Sequence, residues 1–399
     1  MKSSVVIEGR TELEVPDPSS YTFQGRFAPF KAPVFYNPKM EFSRDIAVGV
    51  LSSFACARGS PIRVCDPLAG VGARGVRYAN EVPVVELSVM GDLNAESIPL
   101  ILSNARRNGL EGKIEVVHEE ANLLLSRHSE PGCRFDFIDI DPFGTPMPFV
   151  DSSVRALKNG GMLGVTATDT APLCGVHTNA CIRKYSSIPL RNEFCHETGL
   201  RILVGSIVRT AAKYDFGAFP LLSYSVDHYF RSYFRLKLGA HLADFAFRSM
   251  GYLLSCDSCL WRGVAQFEEP LQTTCTECGS PLRRAGPLWI GDLSDKSFLC
   301  RLAEFDFSYM RTNARISKLL SKISGEQGKP PGYYVLDFVS KRLSLSAPSL
   351  KGVLEELERL GYTASPTHFH PKGIKTSAPP SVVREVVRGL CTGFRLDDC

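Results

Sequence analysis

The residues best suited to chemistry lie in FDFIDIDPFGTPMPF (135–149), where an apolar run ends in Asp139 and Asp141 and passes into Pro142-Phe143-Gly144. In a parallel sheet, ligands sit beyond the carboxyl ends of the strands, which is where this change of character falls. An amino group conjugated to a heterocyclic base is a poor nucleophile. It improves when acceptors take its hydrogens and draw the lone pair out of the ring plane. Asp141 and a backbone carbonyl near Pro142 can act as those acceptors, with the fixed proline φ holding the carbonyl's aim. Phe143 can stack on a base and set its plane. The same letters also describe a plain strand end, with Asp-Pro as turn chemistry and Phe143 as core.

An acid, a proline and an aromatic in this order is the pattern of amino-methyltransferases, and that reading requires a site for a methyl donor. Upstream, PIRVC (61–65) runs into Asp66-Pro67 and then AGVGARG (69–75), a literal G-x-G-x-x-G through Gly70, Gly72 and Gly75, with Asp92 ending the next strand. In dinucleotide dehydrogenases such a loop admits a pyrophosphate to a helix N-terminus, and the later acid holds a ribose. In S-adenosylmethionine enzymes the loop approaches a ligand without phosphates, and the acid again takes ribose hydroxyls. The loop alone leaves both open. Asp66 favours the second, because a carboxylate repels a pyrophosphate and suits the cationic amino-acid end of S-adenosylmethionine.

Cys256-Asp-Ser-Cys259 and Cys275-Thr-Glu-Cys278 are 15 residues apart, the spacing of two knuckles closing on one tetrahedral zinc. Four thiolates fill the coordination shell, so the metal is expected to be structural. The other nine cysteines, Cys195 beside His196 among them, fit no ligand spacing and read as buried apolar residues. His177 and His228 have no evident partner.

These groups need a frame. Strands are expected at Pro61–Cys65, Val84–Met90, Ile114–His118, Phe135–Ile140 and Gly161–Thr168, alternating with helices. One of these helices is Asn94–Arg107, N-capped by Asn94 and stopped by Asn108-Gly109. Such alternation packs as an α/β doubly wound, Rossmann-like sheet. After Asp169 a turn-rich insertion is expected, then a long helix over Arg191–Tyr214, a strand pair over Leu221–Leu238 and a helix over Leu242–Met250. The Gly/Pro-rich GEQGKPPG (325–332) reads as a linker or wing.

The 399 residues, 44% apolar and 22% charged, suit a globular protein of two or three domains. Divisions are expected at 1–45, an N-terminal substrate and cofactor segment, at 46–240, the catalytic sheet, and at 241–399, a smaller zinc-containing α+β domain. Neither a secretory h-region nor a membrane-length apolar run is present in the sequence, which points to the cytoplasm and away from membranes. Nothing implies an obligate protein partner. Residues 301–399 carry 15 Lys/Arg against 10 Asp/Glu, whereas the remainder carries 31 against 32, so the basic surplus is C-terminal.

The chain resembles the tRNA (guanine-26 N2)-dimethyltransferases, the Trm1 family, over nearly its whole length. The match is carried by VFYNPKMEFSRD (34–45), DPLAGVGARGVRY (66–78), GDLN (91–94), EEAN (119–122), DIDPFGTP (139–146), the four cysteines and THFHPKGIKTSAP (367–379). The resemblance implies transfer of two methyl groups from S-adenosylmethionine to N2 of a tRNA guanine, with tRNA as partner. It implies that Arg44, Arg74, Asp92, Glu120 and Ala121 contact the cofactor, and that Asp141, Phe143 and Phe35 hold guanine. Ser43 stands where Asn is common in the family, and Glu120 where Asp is common. The guanine is expected to be extruded between Phe35 and Phe143. Lys372 and Lys375, beside His368 and His370, are expected to contact tRNA.

Overall fold

The computed structural model describes residues 2–24 and 26–392. The chain opens with a hairpin, β1 (Ser3–Glu8) and β2 (Thr11–Pro16), followed by a two-residue pairing of β3 (Thr22–Phe23) with β4 (Arg26–Phe27). Helix α1 (Glu41–Cys56) comes next. Strands and helices then alternate through β5 (Ile62–Asp66), α2 (Ala73–Glu81), β6 (Val85–Asp92), α3 (Ser97–Arg107), β7 (Ile114–His118), α4 (Ala121–Arg127), β8 (Phe135–Ile140), α5 (Met147–Ala156) and β9 (Leu157–Ala167). Short helices α6 (Thr170–Leu173) and α7 (Thr178–Tyr185) and the long α8 (Cys195–Ala212) lead to the hairpin β10 (Phe216–Val226) and β11 (Tyr229–Leu238). The remainder comprises α9 (Ala240–Phe247), β12 (Met250–Ser255), β13 (Arg262–Gln266), β14 (Arg283–Trp289), α10 (Lys296–Ala303) and α11 (Asn313–Glu326). It closes with β15 (Tyr334–Val335), α12 (Leu336–Arg342), α13 (Leu350–Arg359), β16 (Ala364–Pro366), β17 (Gly373–Thr376) and α14 (Pro380–Thr392).

Seven strands form the main sheet in the order β10-β11-β9-β8-β5-β6-β7. Strands β5 to β9 are parallel, whereas β11 runs antiparallel to both of its neighbours. The turn between β10 and β11 therefore lies at the same edge as the carboxyl ends of β5, β6, β8 and β9. The order reverses between β5 and β8, which opens the crevice where such sheets bind ligands. This is the doubly wound architecture read from the sequence. Every residue of β8 is buried, as a central parallel strand covered on both faces requires.

Two expectations are corrected. Helix α3 begins at Ser97, and Asn94 instead accepts from the Glu96 N–H to cap the turn before it. Pro99 explains the delay, because a helix begun at residue 95 would drive its ring against the carbonyl four residues back. The segment after Asp169 is not a loop but contains α6 and α7.

Part of the C-terminal third packs into the main core. Phe298, Leu302, Phe307, Ile316 and Leu320 join the core that packs on α1 and the β5–β6 side of the sheet. Gly49 of α1 marks the closest contact: a Cβ there would lie 2.4 Å from the Phe307 ring. Residues of β12 and β14 join the other core with α8, while α12, α13 and α14 gather a small core of their own. GEQGKPPG is a packed connection rather than a wing, and it ends at the fully buried Tyr333.

The N-terminal hairpin is held by side chains that imitate a neighbouring strand. Asn104 and Asn108, one helical turn apart on α3, each accept a backbone N–H from β2 and donate to a backbone carbonyl of it, at Glu14 and Glu12 respectively. Beneath the hairpin lies a buried charge network. Glu8 binds Arg44 at 2.7 and 2.5 Å, and Arg77 bridges Asp45 and Glu81, each at 2.7 Å.

Candidate active site and zinc-binding knuckles

Strand β5 delivers Asp66 to the carboxyl edge, and the chain then turns through Gly70 and Gly72 into α2. Gly70 has φ of +56°, and a Cβ on it would lie 2.8 Å from the Phe35 carbonyl oxygen, so only glycine lets the N-terminal segment cross the loop here. Asp92, at the end of β6, accepts from the Gly70 N–H at 2.7 Å and from the Asn94 N–H at 2.8 Å. The acid suspected of holding a ribose thus also fixes the loop.

Arg74, in the first turn of α2, joins the loop to the DPFG element. Its Nε and Nη2 both donate to Asp141 Oδ2, at 2.9 and 2.6 Å, and Nη2 also reaches the Ser43 hydroxyl at 3.1 Å. Asp139 stands behind, held by Arg231 at 2.7 Å and by the Tyr78 hydroxyl. The resemblance placed Arg74 against the cofactor; in the structure it also clamps the acid proposed to do the chemistry. Burial alone would raise the Asp141 carboxyl, but Arg74, Arg231 and the Thr166 hydroxyl outweigh it and hold the group below its ordinary value. Asp141 is therefore an ionised acceptor. Asp66 goes the other way: burial, then the nearby Asp139 and Asp141, push it up to about 7 against the pull of Arg74.

Asp66 Oδ1 and Arg74 Nη1 are buried without a hydrogen-bond partner. Arg74 Nη1 has a long ion pair to Asp139 at 3.7 Å, so an unpartnered carboxylate oxygen and a loosely paired guanidinium nitrogen beside a glycine loop fit the ammonium and carboxylate of an amino-acid ligand. The site therefore suits S-adenosylmethionine.

The two aromatic residues meet, though not as expected. Phe35 and Phe143 touch edge to face with centroids 4.4 Å apart and planes at 84°, which leaves no room for a base between them. Phe143 is 73% exposed, and the Gly144 N–H donates to Thr168 at 2.7 Å, which ties down the backbone beside it.

Arg44 and Glu120 lie in less open settings. Arg44 is clasped by Glu8 and by the Asn37 carbonyl at 3.2 Å, one residue from the Ser43 that supports Arg74. Glu120 is the N-cap of α4, accepting from the Asn122 and Leu123 N–H groups at 2.8 and 3.1 Å. The buried Ala121 follows at the first helical position, where a backbone N–H has no intrahelical acceptor.

The four knuckle cysteines converge. Cys256 and Cys278 sulfurs are 3.5 Å apart, as are Cys259 and Cys275. A tetrahedral Zn–S4 site with bonds near 2.3 Å needs roughly 3.8 Å between sulfurs, so the set is arranged to hold a structural zinc. The knuckles touch two bodies at once: Leu260 sits in the small C-terminal core, and Arg262 binds Glu193, just ahead of α8, at 3.0 Å.

Sequence reasoning missed Ser43, Tyr78, Thr166 and Arg231. Arg231 gave no local signal, since it lies in an aromatic strand and is fully buried. The spare cysteines were misjudged as a group: Cys56, Cys133, Cys300 and Cys391 are exposed, and only Cys65, Cys174 and Cys181 are buried. Cys399 lies outside the described residues. Cys174, Cys195 and His196, distant or unremarkable in sequence, bring their donor atoms within 4.8 Å of one another.

The profile of the N2,N2-dimethylguanosine tRNA methyltransferases matches residues 9–388. The chain belongs to this family. It is 42% identical to the tRNA (guanine(26)-N(2))-dimethyltransferase of Methanothermobacter thermautotrophicus, over 96% of this chain and 98% of that one. It is 37% identical to the enzyme of the same name from Pyrococcus abyssi, with the same coverage of both. The solved complex of Trm1 from Pyrococcus horikoshii with S-adenosylmethionine superposes with a TM-score of 0.84 at 36% identity, covering 96% of this chain and 99% of that one. The dehydrogenase reading of the glycine loop is thereby set aside. Among the described residues, no helix is long and apolar enough to cross a membrane.

Proposed function

We propose that this chain transfers two methyl groups from S-adenosylmethionine to the exocyclic N2 of guanine 26 in tRNA. The observation that carries this reading is the Arg74 clamp. It holds an ionised Asp141, followed by Pro142 and an exposed Phe143, at the mouth of a loop whose Asp66 and Arg74 atoms, lacking hydrogen bonds, suit an amino-acid ligand.

When bound, S-adenosylmethionine supplies an electrophilic methyl on a sulfonium. The chain's own residues prepare the amine. Asp141 accepts a hydrogen of the guanine N2 and turns its lone pair out of conjugation. Because Arg74 keeps this carboxyl acidic, Asp141 orients the amine rather than basing it, and the proton leaves after transfer, when the methylated nitrogen has become a strong acid. Phe143 must rotate off Phe35 to admit the base, giving up an aromatic contact worth about 0.5–1.5 kcal/mol that stacking on guanine restores. Arg44 acts by holding the N-terminal segment and Ser43 against Arg74, and Glu120 by presenting the Ala121 N–H to the adenine end of the cofactor.

The test is transfer of labelled methyl from S-adenosylmethionine to a tRNA transcript carrying guanine at position 26, repeated with adenine there. Label should appear in the first as dimethylguanosine and be absent from the second. Equal labelling of both would refute the assignment.

A further inference from the structure

Of the two lysines chosen from the sequence, Lys375 is turned inward and Lys372 lies in an exposed ion pair. Lys375 is 2% exposed, and its Nζ binds Glu197 at 2.7 Å and the Pro330 carbonyl at 3.2 Å. Lys372 is paired with Asp337 at 2.8 Å. A different set of cations lies open at the ligand edge of the sheet.

Arg311, Arg315, Lys318 and Lys322 recur at i, i+4, i+7 and i+11, which puts them in one stripe along α11 and the turn before it. The opposite stripe of the helix, Ile316, Leu319, Leu320 and Ile323, is buried in the main core, so the basic face cannot turn away. This face borders a cavity of about 360 Å³ whose lining includes Phe42, His196, Asp227, Lys318, Lys322 and His368.

Cations outnumber available acids there. Asp227 is taken by Arg315 at 2.8 Å, in a pair about half exposed. Glu326 is taken by His368, whose backbone N–H and ring Nδ1 lie at 2.6 and 2.8 Å, and by the Thr367 hydroxyl at 2.8 Å. Lys322 is left with a carbonyl, that of Thr367, at 3.2 Å. Burial, then the neighbouring Lys318, lower its ammonium pKa and outweigh the opposing pull of Glu326, which His368 already engages.

Two residues of the cavity lining, Phe42 and Asp227, connect through the chain to the catalytic residues. Phe42 is followed by Ser43, which touches Arg74, which clamps Asp141. Asp227 lies in the turn from which β11 carries Arg231 onto Asp139.

Resting on the reading of the chain as a tRNA methyltransferase, we infer that this cleft grips the RNA backbone beside the target nucleotide, with Arg315, Lys318 and Lys322 neutralising its phosphates. Phosphate contacts of this kind position the strand without reading its sequence. They also supply favourable energy that offsets unstacking of the guanine.

The experiment compares the wild-type protein with Arg315→Gln/Lys318→Gln/Lys322→Gln and, as a control for general charge, Lys372→Gln. Affinity for tRNA is measured at 50 and 200 mM salt, together with the S-adenosylmethionine Kd and the rate of transfer at saturating tRNA. Each phosphate contact weakens binding about threefold over that fourfold rise in salt, so the triple variant should lose roughly 30-fold of the wild-type salt sensitivity. Its cofactor Kd should stay within twofold, and its transfer rate at saturation within a few-fold. Lys372→Gln should change salt sensitivity by no more than one contact's worth. Unaltered salt sensitivity in the triple variant, or an equal loss in Lys372→Gln, overturns the cleft while leaving the methyltransferase reading intact. Failure of the wild-type protein to methylate tRNA overturns that reading, and the cleft with it.

Discussion

Asp66 offers the sharpest test of the cofactor site, because its protonation state must change when the ligand binds. In the free protein its carboxyl titrates at about 7, raised by burial and by Asp139 and Asp141. A ligand ammonium on the orphaned Oδ1 requires the ionised form. The proton held in the free protein is therefore a competitor, and the apparent Kd scales with one plus the ratio of proton concentration to the acid constant. At pH 6 that factor is roughly 11 and at pH 8 about 1.1, so affinity should tighten about tenfold across the range, equivalent to ~1.4 kcal/mol. Isothermal titration calorimetry in buffers of differing ionisation enthalpy should also register release of close to one proton per ligand at pH 6. Asp66→Asn should bind more weakly and lose this component, leaving only the ligand's own titration. If the wild-type Kd moves less than twofold between pH 6 and 8 after that correction, or the variant keeps the wild-type slope, the role of Asp66 is wrong. The same raised carboxyl has a cost for the unliganded fold: the folded state holds its proton more tightly than the unfolded chain, so this group's contribution to stability falls as pH rises from 3.8 through about 7.

Other outcomes follow from the geometry. Asp141→Ala should lower kcat by about 10²–10³-fold while leaving the S-adenosylmethionine Kd within threefold; a variant with near wild-type turnover would refute the orienting role. Glu8→Gln should destabilise the protein by about 3–5 kcal/mol in chemical denaturation, since it leaves Arg44 and Arg77 short of a buried counter-charge. Glu8 is held at about 2, below its ordinary 4.5, because Arg44 and Arg77 together outweigh burial. Its stabilising contribution should therefore be complete above pH 4.5 and disappear as pH falls through 2, opposite in sign to that of Asp66. Stripping zinc with a chelator, read by metal content and thermal melting, should release one ion per chain and lower the melting temperature while cofactor binding persists; abolished cofactor binding would mean that the knuckles support the catalytic sheet itself.

The extent to which the primary sequence prescribed this protein can be argued from individual residues. The glycine loop, Asp66, Asp92, Asp141 and the knuckles were legible because each depends on local order: a turn, a strand end or a short chelating spacing. The central strands were legible because burial writes an apolar run, complete in β8, and the edge strand β7 because of its β-branched Ile114, Val116 and Val117. Helix α1 left no amphipathic stripe to read, since α2, α10 and the Phe305 and Phe307 rings pack around it and nearly all of it is buried.

Other features were decided only when the chain folded. Whether a lysine is a surface cation or half of a buried pair depends on what a remote element brings to it. Lys375 met Glu197 from α8, whereas Lys322 met the Thr367 carbonyl beside a Glu326 already bound by His368. The Arg74–Asp141 clamp likewise joins residues 67 positions apart, and Arg231 reaches Asp139 across 92. Sequence determined which residues carry the chemistry, because reactivity is a property of residue type and local backbone. Tertiary structure decided their charge states, because ionisation depends on burial and on neighbours that only the fold brings near.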